Sequence, residues 1–492
     1  MNPENTLYRA AQVRTLDRTA IDGHGIPGYT LMTRAGTAAF DALRAHWPAA
    51  SRIAVVCGGG NNGGDGYVVA RLAKAHDLDV VLLHLGDPER LRGDAATAAA
   101  DWQAAGGTVV PFNAEALAGA DVIVDALLGT GLERSVEGAW AEAITAINTA
   151  PAPVLALDVP SGLDADCGVP LGCAVRAAVT VTFVGQKPGL LTAQGPDHAG
   201  RVRFARLDLP EAVYAGIEPV ARLLGDADLV ALPARRQRSS HKGDHGHVLM
   251  VGGELGMSGA ALLAGSAALR TGAGMVSLAT RPGHAAALTA ARPELMCHGV
   301  TGAADLRPLL RRADVVAIGP GLGRDRWGAM LLGAALDAGR PLVVDADALT
   351  LLAAEPTRCD DWILTPHPGE AARLLGRDTA AVQADRLAAV ADLQAAYGGV
   401  VVLKGAGSLV ADGAGSIMLC RDGNPGMAAG GFGDLLTGVV AALRAQGLGP
   451  GDAARLGVLL HARAGDLAAV EGERGMLPSD CLDPLRRLVN PG

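Results

Sequence analysis

Aromatic residues are nearly missing from this chain: Phe, Trp and Tyr together make up 3% of its 492 residues. So few rings leave no series of stacking platforms for single-stranded nucleic acid. Basic runs are missing as well. The densest cluster is Arg235, Arg236 and Arg238, in a chain of formal charge −9. That balance excludes the electrostatic footprint of a nucleic-acid binder and leaves any anionic ligand to be held locally, by backbone amides. Paired cysteines are lacking too. Cys57, Cys167, Cys173, Cys297, Cys359, Cys420 and Cys481 are odd in number and have no CxxC spacing, which argues against a disulfide framework or a zinc site and suits a reducing cytoplasm. No apolar stretch reaches spanning length before Gly or a charge breaks it, and the opening MNPENTLYRAAQ has neither a basic nor an apolar signal region. Neither membrane insertion nor export is expected.

What is present is a composition of 49% apolar and 19% charged residues, the profile of an α/β enzyme. The length exceeds what one growing core accommodates, so two domains are expected. Residues 1–50 carry two helical patterns, AAQVRTLDRTAI and TLMTRAGTAAFDALRAHW. From residue 51, β-branched runs (RIAVVC, DVVLLHL, DVIVDALL, PVLALDVPSG, AVTVTFVG) alternate with Ala-rich helical stretches. This alternation means βαβ units on a parallel sheet with helices on both faces. Prolines and charges interrupt it near 215–235, where we place the domain junction. A second α/β series then runs through HVLMVGG, GMVSLAT, DVVAIGPG, PLVVDADAL, WILTPHPGE and VVVLKGAGSLVADG to a closing helical region from Asp434.

The stretch VVCGGGNNGGDGYVVARLA, residues 55–73, reads as a strand, a Gly-rich turn and a helix, at the sheet edge where ligands of open α/β sheets collect. It fits neither G-x-G-x-x-G nor a Walker loop. Asn61, Asn62 and Asp65 at its tip could cap the helix or could bind a cation and a ribose. Two further strand ends bear on this: VDALLGTGLERSV carries Asp125, and LDVPSGLDAD carries Asp158 and Ser161. Side by side in a parallel sheet, Asn62, Asp125 and Ser161 would form a cluster of hard oxygen ligands suited to an alkali or alkaline-earth ion.

Together with TLMTRAG and VTFVGQKPGLLTAQGPDHAGRV, these segments resemble, in order, the YjeF N-terminal NAD(P)H-hydrate epimerases across residues 8–215. The resemblance implies that Asn61, Asn62, Gly63, Gly64 and Asp65 bind the hydrated dinucleotide. It implies likewise that Gly129, Thr130, Gly131, Leu132, Glu133, Arg134 and Ser135 contact substrate, and that Asn62, Asp125 and Ser161 hold K+. Asp158 falls on the family's substrate carboxylate and is expected to move the proton while C6 of the hydrated nicotinamide inverts; a plain surface or capping role is the alternative. Gly59 replaces an expected proline.

In the second half, NPGMAAGGFGDLLTGVVAALRAQG converges amides at the positive end of a helix dipole, with Asp434 at the rim. That is either an ordinary N-cap or an anion hole beside a carboxylate. Lys404 with the turn Gly405, Ala406, Gly407 and Ser408 can lie along a diphosphate. His367 and Gly323 stand at strand ends, and His367 could equally be a core histidine. His241, His245 and His247 invite a zinc reading, which the lack of a carboxylate helix or CxxC disfavours. The set resembles the ribokinase-like ADP-dependent NAD(P)H-hydrate dehydratases over about residues 226–470. By that resemblance ADP lies on Lys404 to Ser408 and Gly433, with Mg2+, and the hydrated nicotinamide meets Ala260, Gly323, His367 and Asp434. Ala429 and Phe432 depart from the family, and Phe432 is expected to narrow the anion hole.

The expectation is therefore two three-layer α/β/α domains: a Rossmann-like epimerase over 1–216 and a ribokinase-like dehydratase over 226–492. The substrates implied are NADHX and NADPHX, the hydrates of NADH and NADPH, with ADP as co-substrate and no nucleic-acid partner; a homo-oligomer is expected. The competing reading is a small-molecule kinase with a dinucleotide-sensing N-terminal half, for which carboxylates at both Asp125 and Asp158 would be superfluous.

Overall fold

The computed structural model describes residues 3–490, and the chain divides into two compact units between Arg222 and Leu223. In the first unit, seven strands form one parallel sheet: β1 (Arg52–Cys57), β2 (Asp79–His84), β3 (Val109–Pro111), β4 (Val122–Ala126), β5 (Val154–Leu157), β6 (Val179–Phe183) and β7 (Arg201–Ala205). Their order is β3-β2-β1-β4-β5-β6-β7, and every neighbouring pair is parallel. Ile53, Val55 and Cys57 of β1 pack with helices Gly28–His46 and Asn61–Ala75, while Ala54 and Val56 join the helix Ala139–Thr149 on the opposite face. Both parities are apolar because both faces are covered; each fully buried Val or Leu contributes about 1.5–3 kcal/mol. β3 and β7 add to the strands expected from sequence, and the turn expected at Asn61–Asp65 is already the first turn of the Asn61–Ala75 helix.

The order reverses between β1 and β4, the switch point at which open α/β sheets bind ligands. Gly59 and Gly60 after β1, and Leu127 to Arg134 after β4, line a cavity at that point.

The second unit contains β8 (His247–Val251), β9 (Met275–Thr280), β10 (Met296–Gly299), β11 (Val315–Ile318), β12 (Leu342–Val344), β13 (Trp362–Leu364), β14 (Val400–Leu403), β15 (Ser408–Ala411) and β16 (Ile417–Cys420). They lie in the order β16-β15-β14-β13-β12-β11-β8-β9-β10. β8 to β14 are parallel, and β14 to β16 form an antiparallel meander. The Gly405–Ser408 turn thus leads from one strand of a hairpin into the other. Val248, Met250, Val315 and Ala317 face helices Ser258–Thr271 and Phe432–Ala445, and their neighbours of opposite parity, Leu249, Val251, Val316 and Ile318, are equally buried on the other face. The switch point falls between β8 and β11, and Gly256, Met257, Gly321 and Arg324 from the two following loops line a second cavity. Among the described residues no helix is long and apolar enough to cross a membrane, and all seven cysteines are unpaired.

Candidate active sites

The first cavity, about 810 Å³, is lined by Asn61, Asn62, Asp65, Gly129 to Arg134 and Asp158 among the residues singled out from sequence. Gly63 and Gly64 lie buried behind it in the helix, and Ser135 does not reach its wall. The strand ends meet through short contacts. Ser161 donates its backbone N–H (2.8 Å) and its hydroxyl (2.6 Å) to the Asp125 carboxylate, and its Oγ accepts the Leu128 N–H at 2.8 Å. Asn62 donates to the Leu128 carbonyl at 3.1 Å, leaving its buried Oδ1 without a partner. Burial pushes the Asp125 carboxyl up to about 6, against the Ser161 and Leu127 hydrogen bonds. This small nest of oxygens thus contains an orphaned carbonyl and a carboxylate short of positive charge, an arrangement that a monovalent cation fits.

Asp158 has a left-handed backbone, φ 63°, costly for a non-glycine residue and characteristic of functional turns. It caps no helix. Its Oδ1 accepts from the Lys187 ammonium, the Thr182 hydroxyl (3.3 Å) and the Phe183 N–H (3.2 Å), while its other oxygen receives no bond among the described residues. Lys187 is fully buried and spends its remaining protons on Thr182 Oγ1 (3.1 Å) and the Phe183 carbonyl (2.9 Å). Nothing in the segment VTFVGQKPG marks Lys187 as a site residue from sequence. Asp65 faces the same space; burial first, then Asp158 and Asp17, push its carboxyl well above the carboxylate range.

The second cavity, about 550 Å³, brings together Ala260, His367 and Asp434. Gly431, with φ 100°, opens the Phe432–Ala445 helix, so Asp434 is its third residue and makes no capping bond. The ordinary N-cap reading therefore fails for Asp434. Burial and the nearby Asp345 raise its carboxyl to about 7, although Lys404 pulls it down. Lys404 Nζ lies 2.6 Å from Asp345 and 3.8 Å from Glu370. Burial works against that ammonium, yet Asp345 and Glu370 outweigh it and hold its pKa above the usual value. A side chain at Gly433 would stand 3.2 Å from Lys404 Nζ, so the glycine bares the helix start directly beside this cation. Asp345, also bonded to the Thr437 hydroxyl at 2.7 Å, was missed from sequence, although it follows strand β12 as Asp158 follows β5.

His367 is not a core histidine. It caps the Pro368–Leu375 helix, its Nδ1 accepting from the N–H of Gly369 (3.0 Å) and Glu370 (3.3 Å), and burial with the adjacent Lys404 lowers its pKa. Gly323 stands behind the cavity and donates to Asp347 at 3.0 Å. Ser408 folds its hydroxyl back onto Gly405. Phe432 overturns the narrowing expected of it: its ring is buried, edge-on to His461 at 6.3 Å, and turned away from the cavity. The three histidines part company: His247 bonds Arg312 and Ser277, His245 bonds Ser240, and His241 pairs with Asp244. Among the described residues no cluster of three or more His, Cys, Asp or Glu is placed to hold a metal.

Comparison with known proteins agrees with this division. Residues 28–189 match the family described as YjeF-related protein N-terminus, and residues 248–487 match NAD(P)H-hydrate dehydratase. The bifunctional NAD(P)H-hydrate repair enzyme of Coxiella burnetii is 49% identical over 99% of both chains, and that of Escherichia coli is 45% identical over 99% of this chain and 94% of its own. A solved ribokinase-like superfamily protein of Enterococcus faecalis, 30% identical, superposes with a TM-score of 0.50 over 54% of this chain and 93% of its own. With relatives matched end to end and both halves recognised by their own family models, the chain belongs to the bifunctional NAD(P)H-hydrate repair enzymes.

Proposed function

We propose that this chain exchanges the R and S hydrates of NADH and NADPH and dehydrates the S form with ADP. We propose that Asp158 serves the exchange in the first cavity and Asp434 the dehydration in the second. The observation that carries this reading is the placing of Asp434: a carboxylate at a glycine-opened helix start that caps nothing, facing a cavity with a partly buried lysine beside it.

Hydration leaves a hydroxyl on C6, next to the ring nitrogen. Hydroxide is a poor leaving group. In the second cavity Asp434 accepts the C6 hydroxyl proton as that oxygen attacks the β-phosphorus of ADP, releasing AMP and leaving a phosphate ester. The ring nitrogen then expels phosphate, and loss of a C5 proton restores NAD(P)H. Lys404, the Gly405–Ser408 turn and the amides from Gly430 to Gly433 suit the diphosphate and the charge that develops on it. Ala260, Gly323 and His367 shape the nicotinamide side. Magnesium, when bound, would neutralise charge on the phosphates.

In the first cavity, Asn61, Asn62, Asp65 and Gly129 to Arg134 hold the hydrated dinucleotide, with Gly63, Gly64 and Ser135 behind that wall. Asn62, Asp125 and Ser161 would hold potassium, whose charge would offset the buried Asp125 carboxylate. The free oxygen of Asp158 moves a proton to or from the oxygen carried by C6 while that centre inverts. Seven unpaired thiols suit a reducing cytoplasm, and we expect a homo-oligomer.

The test is a crossed pair of variants assayed with purified hydrates. Asp434→Asn should lose ADP-dependent NADH recovery by at least about 100-fold and keep R/S exchange. Asp158→Asn should do the reverse. Equal loss of both activities in either variant would refute the assignment.

A further inference from the structure

Inversion at C6 needs a proton given to the departing oxygen and another taken from the incoming one. Asp158 offers a single free oxygen, because Lys187, Thr182 and Phe183 all occupy the other. Besides Asp65, another carboxyl looks into the same cavity, from an element at the start of the chain. Asp17 lies on the Ala10–Arg18 helix, where it and Val13, four apart, line the wall together with Ile21 from the Thr19–Gly23 turn that continues the helix, as one helical face must. That face is firmly placed. Tyr8 donates its N–H to the Gln186 carbonyl at 2.8 Å, next to Lys187, and Ala10 donates to Asp166 at 2.7 Å. Arg14, on the same helix, reaches the Thr130 carbonyl at 3.3 Å. Asp17 itself makes no hydrogen bond or ion pair among the described residues, and the buried Lys187 ammonium acts on it only through space. The match to the N-terminal family begins only at residue 28, beyond this helix.

We propose that Asp17 is a second catalytic acid–base residue of the epimerisation site, acting with Asp158; this rests on the first cavity being where R and S hydrates exchange. The nitrogen lone pair breaks the C6–O bond while Asp17 gives its proton to the departing hydroxyl, which leaves as water. The ring is then a planar N1=C6 cation with both C5 hydrogens retained. Water adds to C6 from either face, and Asp158 takes its surplus proton. One water leaves and one returns; the proton passes from Asp158 back to Asp17 through solvent in the cavity, and the reverse reaction exchanges the two roles. Burial, opposed by Lys187 and reinforced by Asp158, places the Asp17 carboxyl at about 6, close enough to neutrality both to give and to take a proton.

The experiment follows conversion of purified R hydrate to S hydrate by chromatography, with S-hydrate dehydration in the same preparation as the control for folding. Asp17→Asn should lower kcat for exchange about 100-fold, leave KM within about threefold and leave dehydration unchanged. Asp17→Ala should regain exchange on addition of acetate, a recovery that a purely structural role would not produce. Exchange by Asp17→Asn within about threefold of wild type overturns the proposal, and so does Asp17→Ala that acetate fails to revive. A wild-type protein that dehydrates S hydrate yet exchanges nothing overturns instead the reading of the cavity on which the proposal rests.

Discussion

Asp434 sits three residues into a helix yet ties down none of its amides, and its protonation decides whether it can act. The raised carboxyl, at about 7 through burial and Asp345, is mostly protonated below that pH and mostly carboxylate above it. A base must be in the carboxylate form. With free enzyme and limiting hydrate, kcat/KM for ADP-dependent dehydration should therefore climb about tenfold per pH unit on the acid side and level off above about 7. Lys404 pulls this carboxyl down, so Lys404→Met should move the inflection to higher pH as well as weaken turnover. A profile that is flat or falling from pH 5.5 to 8.5, measured by recovery of reduced-nicotinamide absorbance, would remove Asp434 from the role of base. At this same scale the sequence was a partial guide. Asp125, Asp158 and Asp434 could be found because strand-end and helix-start positions follow local chain patterns. Lys187 and Asp17 could not, because they reach the cavity only when segments some 170 residues apart in the chain meet, as Tyr8 and Gln186 do. Phe432 misled for a related reason: which way a first-turn ring points depends on how the helix lies on its sheet.

Helices Ser258–Thr271 and Phe432–Ala445 deliver Ala260 and Asp434 to one cavity because small residues let them approach closely. Gly438 marks the tightest point. A Cβ there would stand 2.0 Å from the Ala264 carbonyl oxygen and 2.9 Å from the Ala267 Cβ, so one helix would have to shift. Gly438→Ala should destabilise the second unit by about 1–3 kcal/mol and slow dehydration more than it raises the KM for ADP, since the displaced element carries Asp434. Gly59→Ala is the contrasting case: no left-handed φ and open space around the new methyl. It should stabilise the first unit by about 0.4–1 kcal/mol through the unfolded chain. Urea midpoints measure both, and a neutral Gly438→Ala would mean that the contact between these helices relaxes freely. Elements were the most legible level in the sequence, because continuous β-branched runs between Ala-rich stretches admit little but a covered parallel sheet. The antiparallel meander of β14 to β16 was less so, since a Gly-rich turn after a strand leads as readily to a hairpin as to a crossover. The helical state of Asn61 to Asp65 was hidden by the poor helix propensity of Gly63 and Gly64, which tertiary packing overrides.

Across the whole molecule, the two activities share an intermediate: the exchange site turns R hydrate into the S hydrate that the dehydration site consumes. Each cavity is built entirely from residues of its own unit, on either side of the division at Arg222 and Leu223. Asp158→Asn should therefore convert the S portion of a mixed hydrate quickly and then slow to the uncatalysed rate of exchange, whereas Asp434→Asn should recover almost no NADH. Mixing the two variants supplies one intact site of each kind, and if the S hydrate travels through solution, full recovery should return at a rate set by the scarcer activity. Titrating one variant against the other, with absorbance of reduced nicotinamide as the readout, makes this quantitative. Recovery that stays at the S portion in the mixture, with both variants shown active on their own substrates, would mean that the hydrate is passed within a single chain. Fusion would then be a requirement of the chemistry and not merely a way to produce two enzymes in equal number.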